Sequence, residues 1–321
     1  MSSNRRFLTA AVLACVLGAL VFSGVASAAA PACNGSPKLC SRTLDKVVLA
    51  GSHNAMSSAS LGWGVPNHGI AIDQQLKRGI RAMLIDIHYG VPGTYDLGGG
   101  PVRYVQTTDA TNPERQLYLC HNKCELGSTP LVDGLKPIAA FLKSHPREVM
   151  VFVDEDNIAP ADFAAAATKA GLLKYIYKGS STRFPTLAKM ISSGQRVVMT
   201  SESKTAPVKW YFEAYKSTLR ETPYSFASAG LLTDPTELAN SCRANRGPAN
   251  GPLFLMNHFV TRPPNGISYA EDSAVVNTKA AIVARANACK AARGKMPTIL
   301  AVNNVELGDV VGAAKTLNGL G

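Results

Sequence analysis

Seven runs of consecutive apolar residues recur along the chain, each closing on polar ones. They are KVVLAGSHN from Lys46, AMLIDIHYG from Ala82, LYLCHN from Leu117, EVMVFVDED from Glu148, RVVMTSE from Arg196, LFLMNHF from Leu253 and TILAVNNVE from Thr298. Apolar character without alternation marks strands covered on both faces, as in parallel sheets. Helical patterns lie between several of them: DQQLKRGI before the second run, LVDGLKPIAAFLKSH before the fourth, FPTLAKMISSG before the fifth with Gly194 as its stop, and SAVVNTKAAIVARANACKAARG before the last. Strands alternating with helices predict an α/β protein on a parallel sheet. With YSFASAG from Tyr224 as a weak eighth strand, the pattern predicts a TIM-type (β/α)8 barrel within 321 residues. An open doubly wound sheet is the alternative, but no GxGxxG follows the first strand to favour nucleotide binding. Residues 90–113, rich in Gly, Pro and Thr, read as a long functional loop.

The N-terminal 28 residues change the compartment. Arg5 and Arg6 precede an apolar run that ends in an Ala-Ser-Ala pattern at Ala28, which predicts a secretory signal peptide over residues 1–28 and one barrel domain over 29–321. Removing Arg5 and Arg6 takes the net charge from +11 to +9. A basic exported protein is drawn to anionic surfaces. No Arg-rich run interleaved with aromatics is present, so nucleic acid is not an expected partner. Loss of Cys15 with the signal leaves Cys33, Cys40, Cys120, Cys124, Cys242 and Cys289. An even count in an exported chain predicts disulfides, and proximity in sequence favours Cys33 with Cys40, Cys120 with Cys124 and Cys242 with Cys289. CHNKC alone lacks the second ligand pair that a zinc site needs.

In a parallel barrel the C-terminal strand ends share one face, where catalytic groups collect. The first run delivers His53 and Asn54 there, the second Asp86 and His88, the third His121, and the fourth Asp154, Glu155 and Asp156. A lone strand-end Asp caps a helix and a lone His supports a core; the joint occurrence at four strand ends points instead to chemistry. Two imidazoles divide acid and base work near neutral pH. An amide and carboxylates form an oxygen set suited to a hard divalent cation, which neutralises charge on a phosphoryl oxygen. Together these groups suit phosphodiester cleavage.

LAGSHNAM, GIRAMLIDIHYG, LYLCHNKCELG followed by FLKSHPREVMVFVDED, and LFLMNHF resemble the X-domain family of phosphatidylinositol-specific phospholipases C, in its secreted, cysteine-containing branch, across residues 44–318. The resemblance implies an imperfectly closed TIM-type barrel and hydrolysis of phosphatidylinositol-like or related polyol and lipid phosphodiesters. It implies His53 as the group that deprotonates the inositol 2-hydroxyl or stabilises the phosphorane, and His121 as the general acid. It implies a divalent cation, Ca2+ or Mg2+, on Asn54, Asp86 and Glu155, with Asp154 the alternative on the fourth strand. Metal-independent bacterial members carry arginine where Asp86 stands. Two positions depart from the family pattern: Leu84 replaces an acidic ligand of the metal-dependent members, and Asn303 replaces an Asp. His68 and His88 match no family motif and read as supporting groups. Trp63 either meets a bilayer or packs under the first loop. The expected partners are a phospholipid or other phosphodiester substrate and an anionic membrane surface, with the chain a monomer. A glycerophosphodiester or sphingomyelin-type substrate is the enzymatic alternative, and a non-catalytic phosphate-binding barrel is the alternative of another class.

Overall fold

The computed structural model describes residues 31–320 except 97, 99 and 204, so the signal-peptide reading of residues 1–28 lies outside the described residues. The strands are β1 (Leu49–Ser52), β2 (Ala82–Asp96), β3 (Pro101–Thr108), β4 (Gln116–Leu119), β5 (Thr129–Pro130), β6 (Met150–Asp156), β7 (Val197–Ser201), β8 (Tyr211–Glu213), β9 (Leu219–Glu221), β10 (Leu253–Asn257) and β11 (Ile299–Val302). The helices are α1 (Ile72–Arg78), α2 (Leu131–Ser144), α3 (Pro160–Lys169), α4 (Leu187–Ser192), α5 (Gly230–Thr233), α6 (Ala270–Val276), α7 (Lys279–Arg293) and α8 (Val310–Leu317). Eight strands run in the order β8-β7-β6-β2-β1-β11-β10-β9, and every neighbouring pair is parallel. No ladder joins β8 to β9 among the described residues, so the α/β barrel is left open at that seam, as expected of an imperfectly closed one.

Side-chain parity divides each strand between two cores. On β2, Ala82 and Leu84 point into the barrel while Met83, Ile85 and Ile87 face the helices; on β6, Val151 and Val153 point in while Met150 and Phe152 point out. This double burial explains the unbroken apolar runs. The chain ends are tied together as well. Asn318, just past α8, accepts from Val48 N–H at 3.0 Å and donates to Val48 O at 2.8 Å.

Four expectations need correction. LYLCHN is not a barrel strand: β4 pairs antiparallel with β2, from Gln116 opposite Gly90 to Leu119 opposite Ile87. YSFASAG forms no strand, and the remaining barrel strands are the three-residue β8 and β9, too short for any periodic signal. Residues 90–113 are largely a hairpin, β2 with β3, because strand-favouring Val, Thr and Tyr recur along both arms and pair across the ladder despite their Gly and Pro neighbours. The last long helical pattern is also two helices, since Thr278 adopts an extended conformation and caps α7 by accepting from Ala281 N–H.

All three expected disulfides are present: Cys33–Cys40, Cys120–Cys124 and Cys242–Cys289. Their sequence separations are 7, 4 and 47. Loop-closure entropy grows with separation, to about 4 kcal/mol for the longest and about 2 kcal/mol for the shorter ones. Replacing Cys242 and Cys289 together with alanine is therefore expected to lower the melting temperature more than the same change at Cys33 and Cys40. Calorimetry of the two double variants checks the order.

Candidate active site

Inward parity continues past the apolar layer and lifts one polar residue from each of several strands onto the same face. Above Leu84 on β2 comes Asp86, above Val153 on β6 comes Glu155, and above Leu255 on β10 come Asn257 and Phe259. Glu202 follows β7, Glu221 closes β9, and His53 and Asn54 follow β1. These line a cavity of about 450 Å³ at the C-terminal barrel face. Asp86 and Glu155 are direct register partners on adjacent parallel strands, so both carboxylates enter side by side. Parity also separates the two fourth-run candidates. Glu155 faces the cavity, while Asp154 is fully buried on the other face, near the Tyr211 hydroxyl.

A local device repeats at three positions. His53, His121 and Asn303 each precede an asparagine with positive φ: Asn54 at 51°, Asn122 at 59° and Asn304 at 44°. Asparagine tolerates the left-handed region better than most residues, because its short amide bonds locally to the backbone. In each pair the first residue is presented at a strand end and the second turns the chain away.

His53 is held on three sides. Its Nδ1 lies 2.9 Å from Asn303 Oδ1, which also accepts from Asn67 Nδ2 at 3.1 Å. That oxygen only accepts, so Nδ1 carries the proton and Nε2 is the free base. The ring stacks on Phe259 with centroids 3.8 Å apart and planes 4° from parallel. Below it His68 Nε2 donates to His53 O at 2.7 Å, while His68 Nδ1 accepts from Val305 N–H. Burial, opposed by the Asn303 bond and assisted by the nearby His121, lowers His53 to about 3. Burial lowers His68 to about 4, so it stays a neutral support.

His121 arrives by an unexpected route. Because β4 descends antiparallel along β2, with Cys120 N–H donating to Asp86 O at 3.2 Å, His121 is set down on the cavity face from above. The Cys120–Cys124 bridge brackets it. His121 is half-buried, does not line the cavity itself, and is close enough to His53 for their charges to oppose each other; burial lowers its pKa. His88 also lies near His121 and meets Asn157 across 3.3 Å, a supporting position. Trp63 is buried against Gly127, where any side chain would strike the indole, so it packs under the loop and does not reach outward.

Sequence reasoning missed a second acidic group. Arg246 Nη1 bonds Glu202, its Nε bonds Glu221 Oε1 at 2.6 Å and its Nη2 bonds Glu221 Oε2 at 3.2 Å. Asn245, Asn257 and Tyr215 also donate to the fully buried Glu221. The in-phase step from Val198 through Thr200 to Glu202 carried a signal for one of these; the three-residue β9 gave none for Glu221. Four carboxylates thus line the cavity with a single guanidinium, already bonded to two of them. Burial and then the neighbouring Glu155, Glu202 and Asp154 carboxylates hold Asp86 well above the usual carboxylate range.

Among the described residues no three His, Cys, Asp or Glu side chains form a ready ion cage. The donor set of Asn54, Asp86 and Glu155 is all oxygen, and among the described residues its two facing carboxylates form no ion pair. Those residues fit a hard divalent cation. Leu84 lies below them as an apolar floor with Val153 and Leu255, and supplies no ligand.

The arrangement has known counterparts. The family model described as PI-PLC X 1 matches residues 91–318. The PI-PLC X domain-containing protein 1 of Arthroderma benhamiae is 26% identical over 341 residues, covering 100% of this chain and 99% of that one. A PI-PLC X domain-containing protein of Arabidopsis thaliana is 26% identical over 276 residues, covering 78% of this chain and 56% of that one. In fold, the chain is similar to the phosphatidylinositol-specific phospholipase C of Listeria monocytogenes, with TM-score 0.55, 18% identity, and 88% and 95% of the two chains covered. A double mutant of the S. aureus phosphatidylinositol-specific phospholipase C gives TM-score 0.53 at 14% identity, over 88% and 94%. His121 and Glu155 fall inside the matched span, while His53, Asn54 and Asp86 precede it and stand on the geometry above. With most of its length inside that match and a barrel shared with these phospholipases, the chain belongs to the PI-PLC X family.

Proposed function

We propose that this chain is an exported phosphodiesterase that cleaves phosphatidylinositol-like or related lipid and polyol phosphodiesters. The observation that carries the reading is the fixed His53 imidazole, its free Nε2 beside a cavity lined by Asn54, Asp86 and Glu155. His53 Nε2 takes the proton from an attacking hydroxyl, either the substrate's own neighbouring hydroxyl or water. The hydroxyl oxygen bonds to phosphorus, the bond to the leaving oxygen breaks, and His121 protonates that oxygen. Phe259 keeps the His53 ring in plane, and Asn303 keeps its tautomer. A divalent cation, Ca2+ or Mg2+, on Asn54, Asp86 and Glu155 would neutralise a phosphoryl oxygen. Three disulfides support export, and no described helix is long and apolar enough to cross a membrane. We take the active species to be a monomer.

A non-catalytic phosphate-binding barrel is the second reading, favoured by the amide at Asn303. Saturable binding without turnover over a broad substrate panel would select it. A linear monoester with no cyclic species would point instead to direct hydrolysis, as for a glycerophosphodiester or sphingomyelin-type substrate.

His53→Ala and His121→Ala are each expected to lower kcat on phosphatidylinositol by roughly 10² to 10⁴, the usual loss of one proton-transfer group. Chelation is expected to abolish turnover; activity unaffected by chelator and by both substitutions removes the reading.

A pH profile tests the role of Asn303. A carboxylate beside Nδ1 favours the protonated imidazole and raises its pKa. Since the base must be neutral, Asn303→Asp is expected to move the acidic limb of kcat/KM upward by about one unit or more, so the variant fails first as pH falls. An unmoved limb means that His53 is not the titrating base.

The Cys120–Cys124 bridge closes a short loop around His121, and its main contribution is positional, since misplacing a catalytic group by about 1 Å costs roughly 10²-fold. Replacing both cysteines with alanine is expected to reduce turnover far more than the melting temperature. A double variant that unfolds outright would show the bridge to be chiefly structural.

A further inference from the structure

Pairing of β2 with the barrel strand β6 ends at Ile87 opposite Asp156, yet β2 continues to Asp96 and carries β3 with it. The result is a two-stranded arm standing beyond the cavity face. Tyr95 is directly opposite Val102, and Gly93 directly opposite Tyr104, so one side of the arm presents Tyr95, Val102 and Tyr104 together. Tyr95 and Val102 are 45% and 47% exposed, and the two tyrosine rings lie 5.6 Å apart. On the opposite side Thr94 faces Arg103 toward the tip, and Pro92 faces Val105, which packs on the core, nearer the barrel.

This face belongs to a one-sided pattern. Among the described residues the other exposed large apolar side chains are Leu61, Leu126, Tyr224, Tyr269 and Val275. Leu61 lies between β1 and α1, Leu126 between β4 and α2, and Tyr224 just after β9; Tyr269 and Val275 lie between β10 and α7. Leu61, Leu126, Tyr224 and Tyr269 are in connections leaving the C-terminal end of the barrel, where the cavity opens, while Val275 is on α6. Leu61 and Leu126 belong to neighbouring loops, joined by Gly64 N–H donating to Leu126 O at 2.6 Å. Exposed apolar groups collected on one face mark an interaction surface. A net charge of +9 without residues 1–28 draws the exported chain to anionic surfaces at long range.

We propose that the β2–β3 arm inserts the Tyr95, Val102 and Tyr104 face into the surface of a phospholipid bilayer and so brings the cavity mouth onto its lipid. Tyrosine suits this level, with an apolar ring and a wet hydroxyl. The inference deepens the lipid-phosphodiester reading by naming the element that meets the lipid, and its test does not depend on turnover.

The experiment is sedimentation of the exported chain with vesicles of phosphatidylcholine and phosphatidylglycerol. Tyr95→Ser with Val102→Ser is expected to weaken binding by about tenfold or more, since two half-exposed apolar side chains no longer leave water. The loss persists in high salt, because the step removed is apolar; melting temperature and turnover of a water-soluble phosphodiester do not change. Val102→Trp supplies a second readout, a blue-shifted emission on adding vesicles. Undiminished binding by the double variant, a Val102→Trp emission that does not move on bound vesicles, or a dimer of the free chain that the double variant abolishes would each overturn the proposal. Vesicle binding that depends on the arm, with no turnover of any phosphodiester, would leave the arm in place and remove the catalytic reading.

Discussion

The whole cavity depends on one geometric constraint: in a strand, alternate side chains face opposite ways, and a one-residue slip exchanges the faces. The ladder that sets Asp86 opposite Glu155 also sets Leu84 opposite Val153 and Ile85 opposite Asp154. It therefore decides in one step that two carboxylates enter the cavity, that an apolar floor lies beneath them, and that Asp154 is turned away. Slipping β6 by one residue against β2 would bring Asp154 and Asp156 inward and send Glu155 to the helix layer. The hydrophobic segments on either side resist that slip, because Met150 and Phe152 fill the outer core while Val151 and Val153 fill the inner one.

A consequence of that register is a concentration of like charge. Asp86, Glu155, Glu202 and Glu221 share one cavity, and Arg246 answers only the last two. Arg246 also lies 4.1 Å over the Tyr215 ring, in the turn between β8 and β9. Residues from β7's end, β9's end and two connections thus meet at the seam where no backbone ladder joins β8 to β9. Side-chain ion pairs and hydrogen bonds hold the top of the barrel where main-chain pairing does not. Asp86 and Glu155, without such a partner among the described residues, account for the fit to a divalent cation, and burial together with the neighbouring carboxylates pushes the Asp86 carboxyl up.

The histidines show the same division between local and global causes. Their presentation is local, since His53-Asn54 and His121-Asn122 each use an asparagine in the left-handed region to leave the strand. Their environment is not. His53 takes its tautomer from Asn303, its ring plane from Phe259 and its backbone support from His68. Behind that wall the buried Arg285 donates to Asn257 O at 2.6 Å and to Ser241 Oγ at 2.9 Å, fixing the strand end from which Phe259 departs.

By itself the sequence determined the alternation of strands and helices, favoured the disulfide pairs and marked the strand-end residues His53, Asn54 and Asp86, with Glu155 and Asp154 still alternatives, because each rests on short-range order: continuous apolar runs, cysteine spacing and the polar residue that follows a strand; the register of β6 against β2 then chose Glu155. The tertiary structure decided what short-range order does not contain. It turned LYLCHN antiparallel and so brought His121 down onto the face from above, found the three-residue β8 and β9, made a hairpin of a segment whose Gly and Pro read as loop, and joined Glu202, Glu221 and Arg246 across the open seam. Two- and three-residue pairings carry no periodicity of their own, and ion pairs between residues tens of positions apart exist only once the register of the intervening strands is set.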